Sequence, residues 1–417
     1  MHRLACATRD YAWGSRTLIP RFLGEAPNGE PHAELWVGAH PGDPARLADG
    51  RTLDAAIAED PSGMLGAHVA EHFGPRLPFL MKALAAAEPL SLQVHPTRDR
   101  ARAGFAAENA AGIEIGDPRR SYQDESHKPE LVYALTRFEG MAGFRDVGKS
   151  SEILRLLRLP WLDSVAAELV EGQPADALDA VVTSMLSTSG ELLADRLVDM
   201  AKAAREAEDR AHRSRPPAVR RSRERTSVER EAVRLFAQTA ALAERYPTDP
   251  GVLVTLLLNH VVLSPGEAMF LDAGVIHAYT SGFGVEIMAS SDNVVRAGLT
   301  PKHVDVAELL DIADFRPVPP PAVTPAATAH GAVSFVPPVT DFALHIVEAP
   351  NDELPAAGPR LVLGLEGDTT LVSADGEASV IRGDAVFVPD STGPVRLAGA
   401  GRVAIGAVPV DRLPTRS

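Results

Sequence analysis

Hydrophobic and polar positions divide the chain into stretches with two different periods. Ala33 to Gly38 and Ser91 to His95 alternate apolar and polar residues at the period of two that suits a half-buried strand, and strand patterning returns at Val252. Between about Val147 and Asp249 the apolar residues recur at three and four, the spacing of one helix face. In the first stretch, Ala33 to Gly38 alternates so that Glu34 lies opposite Leu35 and Val37. Pro78 to Pro96 reads as a buried strand, a turn near Ala85 to Pro89, and a short strand in which Ser91, Gln93 and His95 share a face. Thr97 is placed to cap a helix over Arg98 to Ala111, and Leu131 to Phe144 reads as strand and turn.

The helical stretch predicts segments over Glu152 to Leu157, Ala175 to Leu186, Glu191 to Ala207 and Glu229 to Tyr246. Pro174 suits a helix start, and Thr188-Ser189-Gly190-Glu191 and Thr226-Ser227-Val228-Glu229 both fit a capping box. Arg213 to Arg225 is dense in arginine but holds Pro216-Pro217 among acidic neighbours, so it reads as a solvated loop. After the second strand-patterned stretch, the prolines between Pro317 and Pro325 mark a linker. Short strands with Gly/Asp turns then run to the end. Arg382 to Pro389 echoes the pattern of Pro265 to Asp272, which points to a second β-barrel of similar build. In that echo, position 394 is proline where the first copy has His277.

Composition changes this picture little but excludes several function classes. The chain has 417 residues, 45% apolar and 23% charged, enough for two or three soluble domains. Cys6 is the only cysteine, which rules out an intrachain disulfide framework and a cysteine-built zinc site, and a reducing cytoplasm is the expected setting. The first residues lack an apolar core of signal-peptide length, and the most apolar run, Val252 to Leu263, is broken by Asn259 and His260. Neither export nor a membrane span is expected. A net charge of −15 argues against nucleic acid as a partner, while a small phosphorylated ligand stays open if cations converge locally.

Candidate chemistry centres on Ser91-Leu92-Gln93-Val94-His95-Pro96, where an amide oxygen and an imidazole lie side by side on one strand face. Glu130 and His277 can complete the set. Two histidines, a carboxylate and an amide oxygen suit zinc, with a coordination position left for water or substrate. A lone strand histidine is more often a hydrogen-bonded core residue, so Gln-x-His alone does not define a metal site. Trp36 is expected to pack in the core. Trp13, in the turn Tyr11-Ala12-Trp13-Gly14-Ser15, is placed to cover a ligand.

Five motifs then occur in order: Tyr-Ala-Trp-Gly-Ser (11 to 15), Ala-Glu-Leu-Trp-Val-Gly-Ala-His-Pro (33 to 41), Ser-Leu-Gln-Val-His-Pro (91 to 96), His-Lys-Pro-Glu (127 to 130) and Ser-Asp-Asn-Val-Val-Arg-Ala-Gly-Leu-Thr-Pro-Lys (291 to 302). Together they closely resemble the type I mannose-6-phosphate isomerases, zinc enzymes of the cupin superfamily. The resemblance spans roughly residues 9 to 146 and 251 to 312. It implies a mainly β fold with a helical insertion: a catalytic cupin barrel from 1–147 and 251–312, a helical domain over 148–250, and a linker and metal-free cupin-like barrel over 313–417. It implies one zinc per chain, held by Gln93, His95, Glu130 and His277. It also places Trp13, Glu34, Ser91, Lys128, Glu286, Arg296 and Lys302 around a sugar phosphate. The Asp272-Ala273-Gly274-Val275-Ile276 approach to His277 and Ser126 depart from the usual pattern without removing a ligand.

Moving a proton between C1 and C2 of a sugar needs a base facing the carbon, and Glu286, Lys128, Asp292 and His127 are the titratable candidates. Glu286 can equally be read as a salt-bridge partner of Arg296. Arginine's planar fork and lysine's point charge make Arg296 and Lys302 a phosphate clamp; the plainer reading pairs them with Asp292 or Asp305 on the surface. Two further functions compete: an iron oxygenase using His95, Glu130 and His277 as a facial triad, and a non-catalytic sugar-phosphate-binding cupin. The Gln93 oxygen and the clamp weigh against the first, and the intact ligand set against the second. The chain is expected to act as a monomer in the cytoplasm.

Overall fold

The computed structural model describes residues 1–213, 227–327, 332–348, 353–355 and 357–414. The arginine-dense segment falls mostly outside these, as do His330 and the first residue of the second capping box. In chain order the elements that build the site are β1 (His2–Leu4), β2 (Ala7–Arg9), β3 (Glu34–Gly38), β4 (Phe79–Ala86), β5 (Leu92–Val94), α1 (Arg98–Ala110), β6 (Glu130–Ala134) and β7 (Phe138–Phe144). Five helices follow: α2 (Val147–Leu156), α3 (Pro160–Glu168), α4 (Pro174–Leu186), α5 (Gly190–Arg213) and α6 (Ser227–Arg245). Then come β8 (Leu258–Leu263), β9 (Ala268–Leu271), β10 (His277–Ala289), β11 (Val295–Gly298) and β12 (Ala322–Val323). Mainly antiparallel β structure with a helical insertion is thus observed, and no helix among the described residues is long and apolar enough to cross a membrane.

The long strand β10 organises the catalytic half because it belongs to two sheets. Its second half lies between β4 and β6 in the order β12-β9-β6-β10-β4-β3-β2, and its first half pairs with β5 and β7. The register shifts between Tyr279 and Ser281, and Gly282 takes φ +129, a backbone state open to glycine but not to a residue with a Cβ. The strand bends there from one sheet into the other.

Period-two alternation now decides what each face holds. Leu35, Val37, Phe79, Met81, Ala83, Leu131, Tyr133, Val285 and Ile287 all point one way, into a core shared with Phe335, Leu344, Leu361 and Phe387 of the C-terminal unit. Residues of opposite parity point the other way, and among them are Glu34, Lys82, Glu130 and Glu286. A fully buried strand such as β4 needs apolar residues on both faces unless a charge there has partners. Lys82 is that exception. The C-terminal unit, a seven-stranded sheet facing a three-stranded one across an apolar core, covers the back of the catalytic sheet.

Several expectations shift in detail. The helix expected at Glu152 begins one turn earlier, capped by Asp146, which accepts from the Lys149 N–H at 3.0 Å. Helix α3 was not foreseen; Pro160 starts it. Thr188 closes α4 by donating to the Ser184 carbonyl and does not cap α5, which starts at Gly190. The proline-rich linker contributes an edge strand, β12, to the catalytic sheet, and β1 joins the C-terminal sheet. Helix α6 is anchored to the sheet through Arg145, fully buried, which donates to Glu231 at 2.8 Å and to the carbonyls of Leu256 and Leu258.

Candidate active site

Strand register assembles the proposed ligand set. Gln93 of β5 pairs with His277 of β10 on one side and with Arg296 of β11 on the other, so amide, imidazole and guanidinium arise from three adjacent strands. His95 lies just beyond β5, and Glu130 opens β6 opposite Leu271 and Met288. Ligand atoms of His95, Glu130 and His277 all lie within 4.8 Å of one another, and all three side chains are buried.

Hydrogen bonding fixes how these groups face each other. His95 Nδ1 lies 2.8 Å from the Asn293 carbonyl, and His277 Nδ1 lies 2.9 Å from the Val275 carbonyl. A carbonyl only accepts, so each ring carries its proton on Nδ1 and turns a bare Nε2 inward. Asn293 is itself held: its amide donates to the Asp124 and Ser126 carbonyls at 2.8 Å, and its oxygen accepts from the Gln123 N–H at 2.7 Å. The inward nitrogens meet the two oxygens of one carboxylate, His95 Nε2 to Glu130 Oε1 at 3.2 Å and His277 Nε2 to Glu130 Oε2 at 3.6 Å. Among the described residues, buried His95 Nε2 has no hydrogen-bond partner of good geometry. Burial holds the His95 ring down to a pKa of about 4, so it is neutral near pH 7 and the lone pairs repel unless a cation sits among them.

These donors fit zinc. A tetrahedral ion with ligand bonds of about 2.0–2.1 Å sets its ligand atoms about 3.4 Å apart, close to what Glu130, His95 and His277 show. The Gln93 amide lies on the same spot, its Nε2 3.3 Å from His277 Nε2; turning the amide over would present its oxygen instead. A backbone carbonyl on each Nδ1 is the usual means of orienting a ligating imidazole.

Above this trio lies a cavity of about 460 Å³. Trp13, Glu34, Ser91, Gln93, Lys128, Glu130, Glu286, Arg296 and Lys302 all line it, while His95 and His277 lie buried beneath. Asp292 does not join them: its side chain is 54% exposed and stands 3.6 Å from His40. His127 is also turned away, bonded to Arg98 at 2.8 Å and Asp341 at 3.0 Å. Glu286 does not pair with Arg296. It pairs with Lys82, directly opposite it in register, at 2.9 Å.

Lys82 is the central residue that the sequence reading missed. Its ammonium also lies 3.4 Å from Glu34, whose other oxygen accepts from Trp36 Nε1 at 2.7 Å. Burial alone would lower the Lys82 pKa, but the Glu286, Glu34 and Glu130 carboxylates outweigh it and hold the lysine protonated. For Glu286, burial is the largest influence and raises its pKa, opposed by Lys82 and reinforced by Glu130 and Glu34. Lys128 sits 3.3 Å from Glu130. Tyr279, whose pKa burial and then the Glu286 and Glu130 charges push up, completes the wall. Arg245 and Tyr246, at the end of α6, close one side of the mouth, Arg245 paired with Glu88.

Arg296 and Lys302 differ from every other cation in the cavity. Neither has a carboxylate within ion-pair distance among the described residues, and burial lowers the pKa of both, that of Lys302 further by repulsion from Arg296. Two adjacent, partly desolvated and uncompensated cations are a site for an anion.

A buried trio of side chains that could hold a metal ion, set among antiparallel strands beneath a cavity with two unpaired cations, fits a metal-binding cupin. The family model for the phosphomannose isomerase type I catalytic domain matches residues 1–147. Mannose-6-phosphate isomerase of Escherichia coli K12 is 37% identical over 413 residues, 97% of this chain and 98% of that protein. The Arabidopsis thaliana enzyme of that name is 33% identical over 94% of this chain and 90% of its own. A crystal structure of mannose 6-phosphate isomerase bound with zinc and yttrium superposes with a TM-score of 0.83 at 34% identity, covering 98% of this chain and 99% of that one. This chain belongs to the type I mannose-6-phosphate isomerase family.

Proposed function

We propose that the chain interconverts D-mannose 6-phosphate and D-fructose 6-phosphate with one zinc ion, held by Gln93, His95, Glu130 and His277. The observation that supports this most directly is the combination, at one cavity, of an acceptor-only ligand trio with an uncompensated pair of cations. A zinc ion there supplies Lewis-acid stabilisation of negative charge on sugar oxygens.

The chain's own residues do the rest. Arg296 and Lys302 take the phosphate, the first through its planar fork and the second as a point charge. Trp13, Ser91 and Glu34 shape the space for the sugar, and Lys128 keeps Glu130 ionised. Glu286 takes the proton from C2 and returns it at C1 through an enediol, while the hydroxyl proton of O2 passes to O1, because burial raises Glu286 toward the range where a carboxyl can both accept and give a proton. Lys82, fixed between Glu286 and Glu34, balances the charge as the proton moves. We place the catalytic unit at 1–147 and 251–312, the insertion at 148–250 and a metal-free unit at 313–417, with β1 lent to the sheet of the last unit and β12 to that of the first, in a cytoplasmic monomer that binds no nucleic acid.

Glu286→Gln tests the proton route: turnover should fall by at least about a hundredfold with zinc content unchanged. Running wild type in deuterated water should place deuterium at C1 of fructose 6-phosphate. Full turnover by Glu286→Gln would remove Glu286 from the chemistry.

A further inference from the structure

The phosphate clamp is carried by a short turn, Arg296-Ala297-Gly298-Leu299-Thr300-Pro301-Lys302, whose conformation a chain with ordinary preferences would not hold unaided. Leu299 takes φ +57, the left-handed region that a non-glycine residue enters only when its surroundings enforce it. Gly298 beside it takes φ +149, and a Cβ there would lie 2.6 Å from Asp249 Oδ1 and 2.8 Å from Gly251 Cα. A Cβ at Gly251 would in turn meet the Ala297 carbonyl at 2.7 Å. Two backbones are therefore pressed together, one bearing the clamp and the other leaving the last long helix of the insertion.

Asp249 joins them. Its Oδ1 accepts from the Gly251 N–H at 2.8 Å, and its Oδ2 accepts from the Leu299 N–H at 2.5 Å and the Thr300 N–H at 3.4 Å. One oxygen is committed to its own segment and the other to the strained turn. It acts through the backbone, since both of its oxygens accept from main-chain N–H groups. We propose that Asp249 is a positioning residue for the phosphate clamp, holding Leu299 in its left-handed turn so that Arg296 and Lys302 converge on one anion. This rests on the clamp reading above, and it gives the helical insertion a direct part in substrate recognition.

Asparagine in place of Asp249 keeps the size but offers one acceptor oxygen where two are needed, so one of the two segments is released. The test compares wild type, Asp249→Asn, Leu299→Val and Arg296→Ala in the zinc-loaded enzyme, reading the inhibition constant for inorganic phosphate beside kcat, KM and zinc content. For Asp249→Asn the phosphate constant and KM should rise together by about tenfold or more, while kcat changes by less than about threefold and zinc is retained. Leu299→Val leaves Asp249 untouched but adds a β-branch to a left-handed residue, and should weaken phosphate in the same direction. That variant decides the matter if Asp249→Asn does not fold. An unchanged phosphate constant in folded Asp249→Asn, or in Leu299→Val, overturns the inference while a raised constant in Arg296→Ala leaves the clamp standing. An unchanged constant in Arg296→Ala overturns both.

Discussion

Arg296→Met is the perturbation whose outcome the structure constrains most tightly, because function and stability should move in opposite directions. Each charge-assisted hydrogen bond from a guanidinium to a phosphate is worth about 1.5–3 kcal/mol, so losing a two-pronged contact should remove about 3–6 kcal/mol of substrate binding. At 1.36 kcal/mol per tenfold, that is a fall of about 10²- to 10⁴-fold in kcat/KM for mannose 6-phosphate. The gain is not offset by a lost protein partner, since Arg296 forms no ion pair among the described residues and its desolvation is already built into the fold. The same fact sets the stability effect. Replacing a partly buried, unpaired cation by an apolar chain of similar length removes that desolvation and the repulsion of Lys302, so the melting temperature should stay level or rise. Steady-state kinetics on mannose 6-phosphate and on unphosphorylated mannose, with a thermal melt of the zinc-loaded protein, measure all three quantities. A loss below about tenfold, equal losses on both sugars, or a clear fall in melting temperature would mean that Arg296 is not an uncompensated phosphate ligand.

Other consequences follow from the same geometry. Purified protein should contain about one zinc per chain by elemental analysis, and His277→Ala should lose most of it; full occupancy in that variant would exclude the site. Lys82→Met leaves Glu34 and Glu286 buried without their cation and should destabilise by about 3–5 kcal/mol in denaturant titration, with partial recovery in Lys82→Met combined with Glu286→Gln; no recovery would mean that the pairing is not what Lys82 contributes. His95 and His260 are both held by burial at about 4 against an ordinary 6.5, so the unfolded chain binds more protons in that interval. Stability of the zinc-free protein is therefore fully present above pH 6.5 and should decline as pH falls toward about 4; a level denaturation midpoint across that window would contradict the burial of neutral rings.

The β and helical stretches were legible because their periods differ and each is long. Parity alone puts Gln93 and His95 on one face, and the register of β5, β6 and β10 brings Glu130 and His277 beside them. Lys82 was legible by the same rule, a lone charge in the apolar run Phe79–Ala86 at the parity of its neighbours' inward face, but a single residue in one strand says nothing of its partners until register sets Glu286 opposite it. Asp292 and His127 failed for the converse reason. Each neighbours a functional residue in sequence, yet adjacent residues in extended chain point to opposite sides, and both turn away from the cavity. Arg245, Tyr246 and Asp249 carried no local signal, because only the docking of α6 through the buried Arg145–Glu231 pair brings the end of the helical insertion to the cavity mouth. Prolines in the linker removed donors, but carbonyls remained: Pro321 accepts from the Phe270 N–H at 3.0 Å, enough to seat an edge strand.

Zinc-dependent isomerisation is tested by conversion of mannose 6-phosphate to fructose 6-phosphate, followed by a coupled assay in three samples: protein as purified, protein stripped by chelator, and stripped protein given zinc back. Turnover is expected in the first, loss in the second with zinc shown absent by elemental analysis, and recovery in the third as zinc approaches about one ion per chain. Absence of fructose 6-phosphate from the zinc-loaded protein, or undiminished turnover by the zinc-free one, would contradict zinc-dependent isomerisation.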